Sequence, residues 1–367
     1  MPSEINPILE RFEFMGEFIT AEPYGNGHIH DTFALQFANH DGNVHRYILQ
    51  RVNHHVFKDP QSLIQNILAV TTHLREKIIR AGRDPQRETL TPIPTRDGQY
   101  LQFSERGEYW RAYDFIENAQ TYQFPVDHRH VYHAGKAYGD FQKQLADFPA
   151  ESLIEPIRDF HNTPKRFENL MASIKRDPFD RVGETRDEIA FAIGRENVTS
   201  ILVDKITQGD LPQRVTHNDT KFNNVMLDNE TGEGVCVIDL DTVMPGLSLY
   251  DFGDAIRSIT NKAPEDRGNL SGVGIDLHYY EHFTRGFLDA ARGFLTHAEI
   301  DMLPLSALLM TLESGFRFLT DYLEGDVYFK IHRDGHNLDR CRNQFKLVRD
   351  MEDNFQAMTD IVDKYRY

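Results

Sequence analysis

The apolar and polar positions change texture about a third of the way along the chain. Before residue 117 the apolar residues fall in short runs broken by glycine and polar turns. Phe18-Ile19-Thr20, Thr32 to Phe37 and Tyr47-Ile48-Leu49 read as strands. Gly98 to Phe103 and Tyr109 to Ile116 read as a hairpin turning at Ser104 to Gly107. One helix interrupts them from Pro60, with Leu63, Ile67, Val70 and Leu74 at helical spacing.

From Glu117 the pattern is helical. Ala134, Ala137, Tyr138, Phe141, Leu145 and Phe148 share one face of a helix over His133 to Phe148. Thr163-Pro164 is a helix start, and Thr296 with Glu299 spells a capping box. Leu338, Cys341, Phe345, Val348, Met351, Phe355 and Met358 predict one long amphipathic helix at the C-terminus. Set among these helices, Val225 to Leu227 and Val235 to Ile238 form two strands joined by the turn Asp228 to Gly234. No repeat or long linker appears, and Asp114 to Gln120 reads as a short crossover between a β-rich part and a larger helical part.

Composition narrows the chemistry. With 367 residues and a formal charge of −17, the chain is long enough for two lobes and too acidic for a nucleic-acid or anionic-membrane partner. An acidic protein that binds a nucleotide needs locally placed cations. Cys236 and Cys341 are the only cysteines, which gives neither a disulfide framework nor a metal spacing. No stretch reads as a signal or membrane span, so a cytoplasmic location is expected. His28/His30 and His128/His130 lack a carboxylate or thiol to complete a metal site and are expected to be loop histidines.

The chemistry concentrates in Thr216-His217-Asn218-Asp219-Thr220-Lys221-Phe222-Asn223-Asn224 and in Asp239, which ends the run Val235 to Ile238. A lone His-x-Asp is ordinary turn composition. The order base, cation, amide, then a carboxylate after a strand is what phosphoryl transfer requires. Asp219 is expected to accept the acceptor hydroxyl's proton, and Lys221 to face the transferring group. Asn224 and Asp239 are expected to hold Mg²⁺ through oxygen. Arg317 and Asp321 lie four apart in the helical run Phe316 to Tyr322, where a surface ion pair is the plain alternative to a binding role.

His217 to Asn224 with Ile238-Asp239-Leu240-Asp241 resembles the aminoglycoside phosphotransferase and choline kinase family. Glu22 to Ile29, Arg46 to Arg51, Met244-Pro245-Gly246, Asp251 to Asp254 and Phe318 to Asp326 are similar to its N-acetylhexosamine 1-kinase branch. The resemblance covers nearly the whole chain and implies an α+β, protein-kinase-like fold. A small β-rich lobe (1–116) would bind nucleotide, and a larger helical lobe (117–367) would carry the catalytic loop and sugar site. It implies ATP and Mg²⁺ as cofactors and a small sugar as acceptor, phosphorylated at its anomeric hydroxyl. Choline, homoserine or an aminoglycoside is the alternative acceptor, and an inactive nucleotide-binding module the remote one. Gly25, Gly27 and His28 would form the phosphate loop, Arg51 would replace the usual lysine, and Phe115 and Ile116 would meet adenine. The helical stretch Gln61 to Leu74 has no carboxylate to partner that cation; Asn66 is its mid-helix polar candidate. Thr242, Arg317, Asp321 and Tyr328, with Asp219, would bind the acceptor. Asp251-Phe252-Gly253 imitates a kinase metal motif, but the resemblance gives Asp251 a bracing role.

Overall fold

Alternation along the first strands builds one sheet with two unlike faces. The computed structural model describes residues 2–25 and 29–367. After α1 (Pro2–Leu9), strands β1 (Glu17–Pro23), β2 (Asp31–Ala38) and β3 (Val44–Val52) form an antiparallel meander. Helices α2 (Pro60–Arg80) and α3 (Pro85–Glu88) follow, then β4 (Gln102–Phe103) and β5 (Tyr109–Asp114), giving the order β1-β2-β3-β5-β4. Leu35, Phe37, Tyr47, Leu49, Trp110 and Ala112 pack on one face beneath Ile5, Ile8 and Phe12. Because successive side chains point oppositely, Gln50 and Arg111, paired across β3 and β5, occupy the other face.

Beyond the crossover come β6 (Ala119–Gln120), α4 (His128–Gln144), α5 (Thr163–Arg176), α6 (Arg186–Ile193) and α7 (Ile201–Gln208). Then follow β7 (Arg214–Thr216), β8 (Val225–Asp228), β9 (Gly234–Val237) and β10 (Met244–Gly246). Helices α8 (Ser248–Ile259), α9 (Leu277–Ala291), α10 (His297–Leu323), α11 (His336–Asp353) and α12 (Phe355–Tyr365) complete the chain. The fold is α+β, an antiparallel sheet lobe on a helical lobe. Strands β6, β8 and β9 form a small sheet, and β7 pairs with β10.

The main apolar core runs without a break from α2 through α4, α8 and α9 to α12, while α5, α10 and α11 enclose a second. Helix α10 corrects one expectation. Its 27 residues are long and apolar enough to cross a membrane by length and composition. Its side chains, however, are the packing centre of the helical lobe: Leu303, Ala307, Leu309, Leu312, Phe316 and Leu319 are all fully buried. Its capping box forms as the spacing predicts, Thr296 and Glu299 exchanging hydrogen bonds. The single C-terminal helix does not form. Asn354 turns its Nδ2 onto the Asp350 carbonyl at 2.7 Å, and the helix breaks into α11 and α12.

Candidate active site

The catalytic loop lies between β7 and β8, and its backbone is held from behind by α8. Asp251, in the first turn of α8, accepts the backbone N–H of His217 (3.0 Å) and Asn218 (2.7 Å), and Gln142 donates to it from α4. One turn on, Asp254 accepts the N–H of Thr220 at 2.9 Å and is paired with Arg257. Tyr138 of α4 donates its hydroxyl to the Lys221 carbonyl. Two helices, α8 and α4, thus hold a loop whose only regular piece is the 3-10 turn Phe222–Asn224. Asn218 sits at φ 66°, a left-handed conformation that asparagine tolerates better than most residues. The Asp251-Phe252-Gly253 string is therefore this brace, as the resemblance implied.

His217 is a tie rod. Its Nδ1 accepts the N–H of Asp219 at 3.2 Å and its Nε2 donates to the Ile238 carbonyl at 2.8 Å. That pattern sets the neutral tautomer with the proton on Nε2. It also couples Asp219 to the residue just before Asp239. Asp219 holds Lys221 at 2.8 Å. Burial opposes the Lys221 charge, yet Asp219 outweighs it and raises the ammonium pKa.

Asn224 and Asp239 stand at the same end of the β8–β9 hairpin, where Ile238 N–H meets the Asn224 carbonyl at 2.9 Å. The Asn224 amide donates to the Asp219 carbonyl at 2.8 Å; among the described residues nothing donates to its Oδ1. Asp239 is held at φ 61°, a strained conformation for a non-glycine residue and one that clusters at functional sites. Its carboxylate has no hydrogen bond or cation partner among the described residues. Burial first, then Asp241 and Asp219, push its pKa up. A half-buried, unpaired carboxylate beside two others is unfavourable alone. A divalent cation with oxygen ligands fits it, Asn224 Oδ1 and Asp239 supplying two.

Asp241 takes a different part. Arg111 grips it with two nitrogens, at 2.5 and 2.9 Å, and His30 bonds its other side. Burial works against its charge, but Arg111 and His30 hold it well below the usual carboxylate range. The expectation that no carboxylate approaches His30 is thereby corrected: the chain folds Asp241 onto it across 211 positions.

The donor side departs from expectation in one respect. Arg51 lies on the face of β3 opposite Gln50, bonded to Asp31 and Glu108 beside Trp110. Gln50 faces the cleft instead, its Oε1 taking Arg111 Nε at 3.0 Å. The cation beside Gln50 is thus Arg111 from β5, and alternation along β3 puts Arg51 on the opposite face. Arg111 was legible as a lone charge inside the run Tyr109 to Tyr113. Asn66 serves no cation either; it bonds the Ile154 and Val243 backbone. At the crossover, Phe115 lies under the Arg46 guanidinium at 3.7 Å and Ile116 is buried with Met226 and Cys236. The Ile116 N–H has no protein partner among the described residues, so it can meet adenine. Gly25 stands at φ 76° in the β1–β2 turn; Gly27 and His28 lie outside the described residues.

The sequence model of the phosphotransferase enzyme family (APH) matches residues 20–287, well over half the chain. The chain belongs to that family. Solved structures agree on the fold. An aminoglycoside phosphotransferase from Alicyclobacillus acidocaldarius superposes with a TM-score of 0.64 at 13% identity, covering 97% of this chain and 95% of that one. A microcompartment-associated aminopropanol kinase gives 0.61 at 15% identity, covering 98% and 99%. An amicoumacin kinase solved with AMP-PNP and Ca²⁺ gives 0.58 at 11% identity, covering 96% and 93%.

On the acceptor side of this phosphotransferase, His161 connects the catalytic loop to α10. Its Nε2 meets the Asn218 carbonyl at 3.2 Å and its Nδ1 meets Glu313 at 2.8 Å. The neighbouring Phe160 lies 4.9 Å beneath the Arg317 guanidinium, and Tyr328 and Phe329 flank it at 5.8 and 5.4 Å. Arg317 makes no ion pair with Asp321 or any other described residue. Arg166 lies close by and donates twice to the Phe160 carbonyl; burial and then Arg317 depress its pKa.

Two of the expected acceptor residues are engaged elsewhere. Asp321 accepts the N–H groups of Val327, Tyr328 and Phe329 and the Asn337 amide. It shapes the loop that carries Tyr328, and both its oxygens are filled. Thr242 is buried and donates its hydroxyl to the His217 carbonyl at 2.7 Å. Sequence reasoning missed Phe160, His161, Arg166 and Asp254, whose positions follow from long-range packing.

Proposed function

We propose that this phosphotransferase transfers the γ-phosphoryl group of Mg-ATP to the anomeric hydroxyl of an N-acetylhexosamine, giving the sugar 1-phosphate and ADP. The supporting observation is the pair Arg317 and Arg166, neither in an ion pair among the described residues, with Glu313 and Asp159 acting on Arg166 from further off. A cationic acceptor such as choline or an aminoglycoside would meet two like charges there. A neutral sugar, rich in hydroxyl acceptors and carrying an acetamido carbonyl, fits those donors, and the exposed Tyr328 offers a ring to stack on. A cationic amino-alcohol acceptor is the second reading, favoured by the cleft carboxylates Asp219, Asp239 and Asp241.

In the proposed reaction Asp219 orients the sugar hydroxyl and takes its proton as the new O–P bond forms and the bond to ADP breaks. An anomeric hydroxyl is more acidic than an ordinary alcohol, so an unexceptional carboxylate suffices. Lys221 stabilises charge on the transferring group, and Ile116 positions adenine through its backbone. Asn224 and Asp239 would hold Mg²⁺, which would supply positive charge to the phosphates. Dependence on ATP implies a cytoplasmic enzyme.

The test is a panel of N-acetylhexosamines, plain hexoses, choline, aminopropanol and aminoglycosides with Mg-ATP, following ADP release and the product by phosphorus NMR. A sugar 1-phosphate from N-acetylglucosamine or N-acetylgalactosamine is expected. Turnover of amines with silent sugars would select the second reading.

A further inference from the structure

Three histidines converge on the outside of the helical lobe, away from the catalytic loop. His278 and His282 lie one turn apart on α9, and His128 opens α4. Their rings approach with centroids 4.5 Å (His128 and His282), 4.6 Å (His278 and His282) and 5.3 Å (His128 and His278) apart. One ring nitrogen from each lies within 4.8 Å of the others. None of these rings has a hydrogen bond or ion pair among the described residues, and His128 and His278 are exposed.

The scaffold beneath them is rigid. Helices α4 and α9 touch backbone to backbone because glycine stands at each contact. A Cβ on Gly286 would lie 2.1 Å from the Tyr132 carbonyl oxygen, one on Gly135 2.3 Å from that of Phe283, and one on Gly139 2.6 Å from that of Phe287. Each mid-helix glycine costs about 1 kcal/mol relative to alanine, so three of them mark an approach that side chains would prevent. His128 is thereby held over the His278–His282 pair without relying on a loop.

We propose that His128, His278 and His282 form a binding site for a borderline transition-metal ion of the Zn²⁺ class, separate from the catalytic metal. Neutral imidazole is the preferred donor of such ions, and two histidines at i, i+4 with a third from a neighbouring helix leave an open position for water. Mg²⁺ and Ca²⁺, which want oxygen, are excluded by the same donors. Burial and the two neighbouring rings push the His282 pKa down, keeping its lone pair free at neutral pH. The helix N-termini disfavour a cation; the capping carboxylates Asp127, itself paired with Arg129, and Asp276 stand at those ends. Bound metal would clip the start of α4, which follows the crossover, to α9.

Calorimetric titration with Zn²⁺, and Co²⁺ absorption as a geometry probe, test this in the Asp239→Ala background, which removes the catalytic metal ligand. One equivalent of Zn²⁺ is expected to bind, to raise the melting temperature, and to weaken at least about tenfold in His282→Ala and in His128→Ala. Without added Zn²⁺, His282→Ala alone should fold, by circular dichroism, and turn over Mg-ATP as the parent does. No stoichiometric Zn²⁺ binding in the Asp239→Ala protein, or equal affinity after both histidine substitutions, overturns the site.

Discussion

Asp219 receives its orientation from three sides: its N–H from His217, its carboxylate from Lys221, and its carbonyl from Asn224. Asp219→Asn keeps the size and loses the proton acceptor. Turnover is expected to fall by roughly 10²–10⁴-fold while ATP still binds; near-parent turnover would remove Asp219 from the role of base. The residues legible in the sequence were those whose chemistry is local. His217 to Asn224 is one contiguous loop, and Asp239 ends a strand that pairs with the strand after that loop. Arg51 misled because a one-residue register choice decides which face of β3 a side chain takes. Arg111 stands out in the sequence as a lone charge in the run Tyr109 to Tyr113, but its place beside Gln50 comes only from the pairing of β3 with β5.

At the scale of elements, α8 and the β8–β9 hairpin divide the work. The helix supplies Asp251 and Asp254, which bond the backbone of the loop and face no solvent; the hairpin supplies Asn224 and Asp239, which have unused oxygens. Substitution should separate them. Asp251→Ala leaves the His217 and Asn218 N–H groups buried without acceptors, at about 1–3 kcal/mol each, so the melting temperature drops. Asp239→Ala removes a partly exposed, unpaired charge, so stability should hold or rise slightly while Mg²⁺-dependent nucleotide binding is lost. Thermal melts and calorimetry with Mg-ADP distinguish the two; selective loss of metal response in Asp251→Ala would reverse the assignment. Periodicity could place the first three strands and α2. It could not place the break at Asn354, where a side chain competes for a backbone carbonyl, nor the α4–α9 contact, which depends on where three glycines meet.

For the whole molecule, the two lobes share one apolar core, which Val52 of β3 and Tyr113 of β5 enter together with α2. Helix α2 follows the first three strands in sequence, yet its buried face, Leu63, Ile67, Val70 and Leu74, belongs to the core that continues into α4, α8 and α9. The sheet's other face has a core of its own with α1. Asn66 fastens α2 to the helical lobe by donating to the Ile154 and Val243 carbonyls and accepting the Ile154 N–H at 3.1 Å. Val243 lies just past the turn that carries Asp241, and Asp241 in turn holds Arg111 of β5. Arg111 and Asp241 thus link the sheet to the 239–243 loop, and Asn66 ties α2 to the helical lobe. Asn66→Leu keeps the volume and deletes these bonds, which should cost roughly 1–3 kcal/mol. Hydrogen exchange should then speed up in α2, around residue 154 and over 240–243, and stay unchanged in the centres of β2, β3 and β5. Faster exchange in those strands as well would mean that α2 is fastened to the sheet instead.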